Sequence, residues 1–381
     1  MQFLLLLFFF IVGLAQAAPQ ASIQSLTFQG KTERGDVVAA NQIMMPFVTM
    51  TNQKVAAKIN DYLFNGQFGV LAPRQPGKVF SAADGVAIDG MASQEFSVSR
   101  NDGRILTIAF ENEGCGAYCE NYQTYYSFDI KTGRMLDADD VFTASGMRAL
   151  ERRMVKERQS QYRELLISLR SELKAIQKAH DAKSQDTVND LKERIELNSN
   201  CSGEGTHTDR TPGASEAAPM FKYYKSEFSE DAFKLTAERC SNHAMRALDD
   251  VGAVTLTIPY AELKPYLTGY GTALLLNQGS TTAKSSVYGQ FLRGRMDGKI
   301  AITMLLYKEA GDAVRGIYFY DKYRKPISVA GRENGNQLEL TEAAADGTEG
   351  TEKAKMQLTV TGDHLQGRWI GKTEFQVELA P

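Results

Sequence analysis

The C-terminal region contains a regular series of short segments with the alternating pattern of β-strands, and no other feature constrains the fold as strongly. Glycines lie in or beside the gaps, and the segments are Val287–Leu292, Ile300–Tyr307, Val314–Tyr320, Pro326–Val329, Gln337–Leu340, Lys355–Val360, Leu365–Ile370 and Phe375–Leu379. Short strands with regular glycine turns predict an antiparallel sandwich or an up-and-down barrel, and direct succession favours a closed meander. We therefore predict an all-β domain over residues 283–381.

Residues 18–276 have a mixed pattern that predicts an α+β domain. Asn52–Leu63 places apolar residues at helical spacing after a polar N-cap. The segments that alternate as strands do are Gln24–Gln29, Glu95–Arg100, Ile105–Asn112 and Tyr122–Ile130. Asn101-Asp102-Gly103 between the second and third of them is a hairpin turn signal. The fold class is thus an α+β domain followed by an antiparallel β meander or barrel.

A charged helical insertion interrupts the α+β domain over residues 145–219. Between Arg148 and Glu196 the chain has 12 Lys and Arg against 9 Asp and Glu, around an intermittent apolar stripe. A basic amphipathic helix for a membrane surface or nucleic acid is one interpretation, but the mixed signs favour a solvated helical hairpin. The net charge of -3 for the whole chain also argues against nucleic acid. A polar loop, Ser199–Pro219, ends the insertion.

Residues 1–17 have the pattern of a secretory signal peptide. Met1–Leu14 is apolar and is followed by Ala15-Gln16-Ala17, a small-residue cleavage site. The apolar run is shorter than the roughly 20 residues that a membrane span needs. We therefore expect an exported protein, periplasmic or secreted, without a transmembrane anchor.

Export makes the four cysteines candidates for disulfide bonds, because oxidising compartments preserve them. Three connectivities are possible, and short loops favour Cys115–Cys119 with Cys201–Cys240. A zinc half-site or a redox pair at Cys115 and Cys119 is the alternative. No second pair of ligands has a spacing typical of zinc sites, so we expect no metal and no cofactor.

Signals for catalysis are sparse, and we expect a protein that is not an enzyme. The sequence has no metalloprotease, nucleophile-elbow or P-loop motif. Clustered carboxylates keep one alternative open, a cell-wall glycan hydrolase that uses Glu111, Glu113, Asp137 and Asp139 as acid and base. A third possibility is a small-ligand or structural role for the C-terminal barrel.

Several segments together resemble a known exported domain. They are Gly116-Ala117-Tyr118, Tyr125–Arg134, Asp140-Val141-Phe142 and Thr257–Leu267. They are similar to the extracellular domain of the lysozyme-sensing anti-sigma factors, which also occurs beside peptidoglycan deacetylase domains. The resemblance covers roughly residues 20–270, with the insertion excepted, and the C-terminal region is similar to a barrel-like module of other secreted proteins.

The resemblance implies recognition of a lysozyme-type partner, although the recognition loop has changed. Tyr118 stands where the family has a histidine, and two cysteines flank it. We expect an exposed aromatic on a rigid turn, which anchors a protein partner or stacks on a cell-wall glycan, and nearby carboxylates that steer a basic protein surface toward it. The expected binding residues are Glu111, Glu113, Tyr118, Glu120 and Tyr122.

Overall fold

The computed structural model confirms the predicted fold class. It describes residues 21–32, 35–88, 90–179, 185–203, 220–279, 283–309, 311–343 and 353–381. An N-terminal region of helices and sheets precedes a closed, antiparallel eight-stranded barrel. The predicted signal peptide and residues 204–219 of the polar loop lie outside the described residues. None of the described helices is both long and apolar enough to cross a membrane.

A small sheet and one long helix form the first layer. Its elements are β1 (Ser22–Phe28), β2 (Met44–Thr49), α1 (Gln53–Phe68) and β3 (Val79–Phe80). Asn52 caps α1 by accepting a hydrogen bond from the Val55 amide, and Gly69 ends the helix in the left-handed conformation. The buried Asn60 side chain bonds to both backbone groups of Val48, at 2.7 and 2.8 Å. These bonds fix α1 against β2.

The second sheet is an antiparallel meander, and it carries the sequence-predicted site. Its strands are β4 (Met91–Asn101), β5 (Ile105–Cys115), β6 (Cys119–Asp129) and β7 (Arg134–Met135). The predicted hairpin turn is present, and the Asp102 carboxylate accepts the backbone N–H groups of Arg104 and Ile105 at 2.9 Å each. The register between β4 and β5 shifts between Val98 and Arg100, as in a β-bulge.

The helical insertion and a third sheet cover the other face of the meander. These elements are α2 (Ala138–Val141), α3 (Ala144–Ala179), α4 (Gln185–Ser202), β8 (Lys225–Phe228), β9 (Ala232–Ala237), β10 (Val254–Pro259), α5 (Tyr260–Leu263) and α6 (Gly269–Leu276). The predicted apolar stripe of the insertion buries Leu150 and Met154, whereas Leu165 and Leu173 are only half-buried. The Cys201–Cys240 disulfide ties the end of α4 to the segment after β9.

The C-terminal strands form the closed barrel that the glycine spacing predicts. They are β11 (Phe291–Met296), β12 (Ile300–Lys308), β13 (Ala313–Tyr320), β14 (Pro326–Asn334), β15 (Gln337–Glu342), β16 (Lys355–Thr361), β17 (His364–Ile370) and β18 (Glu374–Ala380). The first strand begins at Phe291 rather than at the predicted Val287. Gly289 has a positive φ, so the chain turns there before the strand begins.

The barrel shares one apolar core with the first two sheets. Phe291, Leu305 and Phe319 are fully buried in that core, although they belong to barrel strands. Tyr62 of α1 connects the two regions, since its ring lies 4.6 Å from that of Phe291 and 5.9 Å from that of Phe128. Its hydroxyl also accepts the Phe291 N–H at 2.7 Å. The predicted division of the chain at residues 276–283 stays a prediction.

A buried ion pair also joins α1 to the barrel, and its removal should be costly. The Asp61 side chain is fully buried and contacts Arg74 at 2.7 Å and Arg293 of β11 at 2.6 Å. We expect Asp61→Ala to lower the free energy of unfolding by about 3 kcal/mol, the lower end for a broken buried pair, because both arginines stay partly solvated. Denaturant unfolding measures this. Asp312→Ala, at an exposed site without an ion pair among the described residues, is the control; equal losses would contradict the prediction.

Candidate functional site

The candidate site begins at the hairpin tip, which we define as residues Cys115–Cys119 between β5 and β6. The two cysteines are direct cross-strand partners and form a disulfide, as predicted. The bridge encloses Gly116, Ala117 and Tyr118, all of them exposed. The Gly116 N–H donates to the Tyr118 carbonyl at 3.0 Å. The tip is therefore a closed turn whose shape does not depend on a partner.

Tyr118 points outward from the tip, as the tight turn predicts. Its side chain is 71% exposed. One side of its ring rests on His243, with ring centroids 4.8 Å apart and an angle of 31° between the ring planes. The other side of the ring is free of aromatic contacts among the described residues, so Tyr118 presents an oriented aromatic surface to the solvent.

Glu120 holds the tip in place and is not a free charge. Its carboxylate forms an ion pair with Arg239 and lies 3.4 Å from the His243 ring. Although desolvation opposes the effect, the hydrogen bond and charge of Arg239, followed by those of His243, lower the pKa of Glu120. Both partners flank Cys240, which is bonded to Cys201 of α4. The second disulfide thus supports the segment on which the hairpin tip rests.

The free negative charges lie lower on the hairpin, in a set that we call the acidic row: Glu95, Glu111 and Glu113. Glu95 of β4 is the direct cross-strand partner of Glu111 of β5, and Glu113 follows on the same face two residues later. None of the three forms an ion pair with another described residue. Like charges directly opposite each other destabilise a sheet, so the pairing of Glu95 with Glu111 does not contribute to the stability of the fold.

A cleft of about 460 Å³ lies beside the acidic row, between β5–β6 and the third sheet. Glu95, Glu111 and Tyr125 line it, together with Lys225 and Glu238, which pair with each other. Desolvation, and then the charges of nearby glutamates, raise the pKa of Tyr125 to about 12. The environment is therefore strongly negative, and a cation or a basic side chain would be stabilised there.

Tyr122 lies apart from the acidic row, because strand neighbours alternate between faces. Its cross-strand partner is Asn112, not Glu111, and the ring packs over Gly114. Its side chain remains 41% exposed and borders the cleft. The structure thus brings Glu111 and Glu113 together, puts Tyr118 at the tip, and gives Glu120 and Tyr122 mainly structural contacts.

Asp137 and Asp139 line a neighbouring cleft of about 520 Å³, so the four carboxylates of the hydrolase alternative do not share one cleft. Asp137 has an unusual environment. Desolvation, and then the charge of Asp140, raise its pKa to about 6, although Arg134 opposes the shift. Arg134 is occupied by Asp140, with guanidinium-to-carboxylate distances of 2.8 and 3.1 Å.

The hairpin tip also brings together three potential metal ligands. One carboxylate oxygen of Glu113 and the sulfurs of Cys115 and Cys119 lie within 4.8 Å of one another. Both sulfurs are bonded in the disulfide, and zinc binding by cysteine requires thiolates. This group therefore does not form a zinc site while the disulfide is intact.

Sequence reasoning missed three residues of the site: Glu95, Arg239 and His243. The β-bulge between Val98 and Arg100 decides the orientation of Glu95. Without that shift Glu95 would face Asn112 and point to the opposite side of the sheet. The position of Arg239 and His243 beside Cys240 was the available signal for their role.

Comparison with known proteins adds little to this geometry. No protein-family model matches the chain, and no curated protein matches it. The chain is similar to the crystal structure of a member of the DUF3298 family from Bacteroides fragilis, with 14% identity and a TM-score of 0.37. The similarity covers 69% of this chain and 99% of that chain. A likeness of this size carries no argument about function, and the resemblance to anti-sigma-factor domains stays a prediction.

The like-charge pair in the acidic row predicts a substitution that stabilises the protein. Glu95→Gln removes one of two facing charges, so we expect the free energy of unfolding to rise by about 0.5 kcal/mol at low salt. The gain should shrink as salt screens the pair. Glu230→Gln, at an exposed turn, is the matched control. Equal effects of both substitutions in denaturant unfolding would show that the pair is not repulsive.

Asp137 predicts a dependence of stability on pH. Since its folded pKa is raised from 3.8 to about 6, its contribution is fully present below 3.8 and is lost as the pH rises through about 6. We expect Asp137→Asn to be more stable than the wild type at neutral pH, with an advantage that disappears toward pH 3.8. Thermal unfolding across this range, with Asp231→Asn as the control, measures it. An advantage that does not change with pH would contradict the prediction.

Proposed function

We propose that this protein is an exported, non-catalytic binding protein of the cell envelope, and that it recognises a basic protein surface through the hairpin tip and the acidic row. The observation that carries the proposal is the acidic row itself. Glu95 and Glu111 are exposed and Glu113 is half-buried, and none of the three has a compensating charge among the described residues, beside an exposed tyrosine. Residues that weaken a fold in this way are typical of functional surfaces. The two disulfides support export, since they persist in oxidising compartments.

Rigid presentation of the tip supports a role in binding. The Cys115–Cys119 bridge closes the turn, the Glu120–Arg239 ion pair anchors it, and His243 orients the Tyr118 ring. A preformed aromatic loses little conformational entropy when a partner binds, and tyrosine is enriched among residues that dominate interface energies. Tyr118 is thus the expected anchor of the contact.

The unpaired carboxylates support a basic partner. Uncompensated negative charge accelerates association with a positive surface and gives the association a strong salt dependence. Lysozyme-type enzymes are basic, and the resemblance to lysozyme-sensing domains makes such an enzyme the partner that we propose. A cell-wall glycan is the alternative ligand, and stacking on Tyr118 rather than charge would then dominate.

Binding of a basic lysozyme by the mature protein, measured by titration calorimetry at low and moderate salt, tests the proposal. We expect salt-sensitive binding that Tyr118→Ala weakens about tenfold. The double variant Glu111→Gln with Glu113→Gln should lose most of the salt dependence. Glu230→Gln should bind as the wild type does.

Two outcomes would count against this function. Absence of salt-sensitive binding by the wild type would reject the basic protein partner. Binding that none of the substitutions weakens would reject the hairpin tip and the acidic row as the site. Salt-insensitive binding of a cell-wall oligosaccharide that depends on Tyr118 would instead support the glycan alternative.

The raised pKa of Asp137 favours a second candidate, a cell-wall glycan hydrolase. A general acid must keep its proton near neutral pH, and Asp137 does so better than an ordinary carboxyl, with a pKa of about 6. Asp139 lines the same cleft. Hydrolysis of cell-wall glycan by the wild type that Asp137→Asn abolishes would support this candidate. The barrel interior, by contrast, is filled by buried side chains such as Leu292, Met304 and Leu358, which does not favour ligand carriage.

A further inference from the structure

A third cleft, lined by positively charged side chains, lies where α1, the turn before β7 and the start of the barrel meet. Its volume is about 670 Å³. The cations that line this cleft, which we call the basic cleft, are Lys54, Lys58, Arg134, Lys284 and Arg293. Neither the hairpin tip nor the acidic row contributes to it, so it is independent of the proposed function.

Lys58 is the most unusual of these residues. It is only 8% exposed, and its ammonium group forms neither a hydrogen bond nor an ion pair with any other described residue. Desolvation, followed by the charges of Arg134 and Arg293, lowers its pKa to about 8. The charges of Asp363 and Asp129 oppose this shift in the pKa only in part, so burial of the ammonium group among other cations costs free energy that the fold itself does not recover.

The close packing of the turn at Gly133 on α1 brings Arg134 and Lys58 together. Gly133 has a positive φ, and a Cβ there would lie 3.1 Å from the Val55 carbonyl and 3.4 Å from the Lys58 Cβ. The turn therefore packs directly on α1 and places Arg134 beside Lys58. Arg293 belongs to β11, the first barrel strand, and its guanidinium lies 2.6 Å from the Asp61 carboxylate of α1.

The two arginines of the basic cleft form ion pairs, whereas its three lysines do not. Asp140 pairs with Arg134, and Asp61 pairs with Arg293. Lys54 and Lys284 are exposed at the mouth of the cleft, and neither forms an ion pair with a described residue. Asp363 is the acidic side chain among the lining residues, and its carboxylate lies 2.7 Å from the His364 ring. Among the lining side chains, the three lysines that form no ion pair outnumber the one carboxylate.

We propose that the basic cleft binds a ligand that carries a doubly charged oxyanion, a phosphoryl group or a dicarboxylate, with Lys58 at the centre of the contact. An ammonium group at the base of a cavity, with lysines at its mouth, provides several charge-assisted hydrogen bonds to such a group. The hydroxyl group of Ser285 in the same lining adds a neutral donor, whereas the Thr132 hydroxyl already donates to Asp129. The bound anion supplies the negative charge that Lys58 lacks.

Thermal unfolding of the mature protein in sodium phosphate, sodium succinate and sodium chloride at matched ionic strength tests the proposal. A ligand that binds only the folded state raises the melting temperature with its concentration. We expect phosphate or succinate to raise it well beyond chloride. Phosphate alone would identify a phosphoryl ligand, and succinate alone would identify a dicarboxylate.

Substitutions separate a specific site from general ion effects. Lys58→Met keeps the unbranched apolar part of the side chain and removes the charge, so we expect it to abolish the oxyanion-dependent shift. Without oxyanion this variant should melt at or above the wild-type temperature, because no buried charge remains. Lys54→Gln at the mouth should weaken binding several-fold without affecting the fold. Lys299→Met, an exposed lysine outside the cleft, should respond as the wild type does.

The result that overturns the proposal is equally clear. A wild-type melting temperature that follows ionic strength alone would show that the cleft does not bind oxyanions. An unchanged oxyanion shift in both Lys58→Met and Lys54→Gln would place any binding elsewhere. Since these measurements do not involve lysozyme or the hairpin tip, failure here leaves the proposed function unaffected.

Discussion

The buried contacts of three consecutive residues of α1, Asn60, Asp61 and Tyr62, connect the main parts of this structure. Asn60 bonds to the backbone of β2, Asp61 pairs with an arginine of the barrel, and Tyr62 packs between the second sheet and the barrel. A fully buried carboxylate requires compensation, so the positions of helix and barrel relative to each other are tightly constrained. Both candidate sites depend on this constraint, because α1 supports one face of the meander and lines the basic cleft.

Both disulfides stabilise the hairpin tip, although their cysteines are far apart in sequence. Cys201–Cys240 fixes the segment that carries Arg239 and His243, and these two residues hold Glu120 and Tyr118 at the hairpin tip. The long helical insertion thus contributes to the presentation of a loop that it does not contain. Rigidity of this kind lowers the entropic cost of binding.

Charge is distributed unevenly in a molecule whose net charge is only -3. Within the part of the chain that the structure describes, the acidic row leaves three carboxylates without ion-pair partners, whereas the basic cleft buries an unpaired lysine beside two arginines. Both arrangements lower the stability of the fold, and neither is required by packing. Charged groups that lower the stability of a fold and make no structural contact are characteristic of binding surfaces.

The sequence by itself determined the fold class and favoured the barrel and the pairing of cysteines that the structure has, because strand alternation, glycine turns and short loop closure are local properties. It also predicted the outward direction of Tyr118. Only the tertiary structure decided which charges are free. A β-bulge brings Glu95 opposite Glu111, and the segment bonded through Cys240 pairs Glu120 with Arg239. Burial leaves Lys58 without an ion-pair partner among the described residues. Such outcomes depend on register and on contacts between remote segments, which no local pattern encodes.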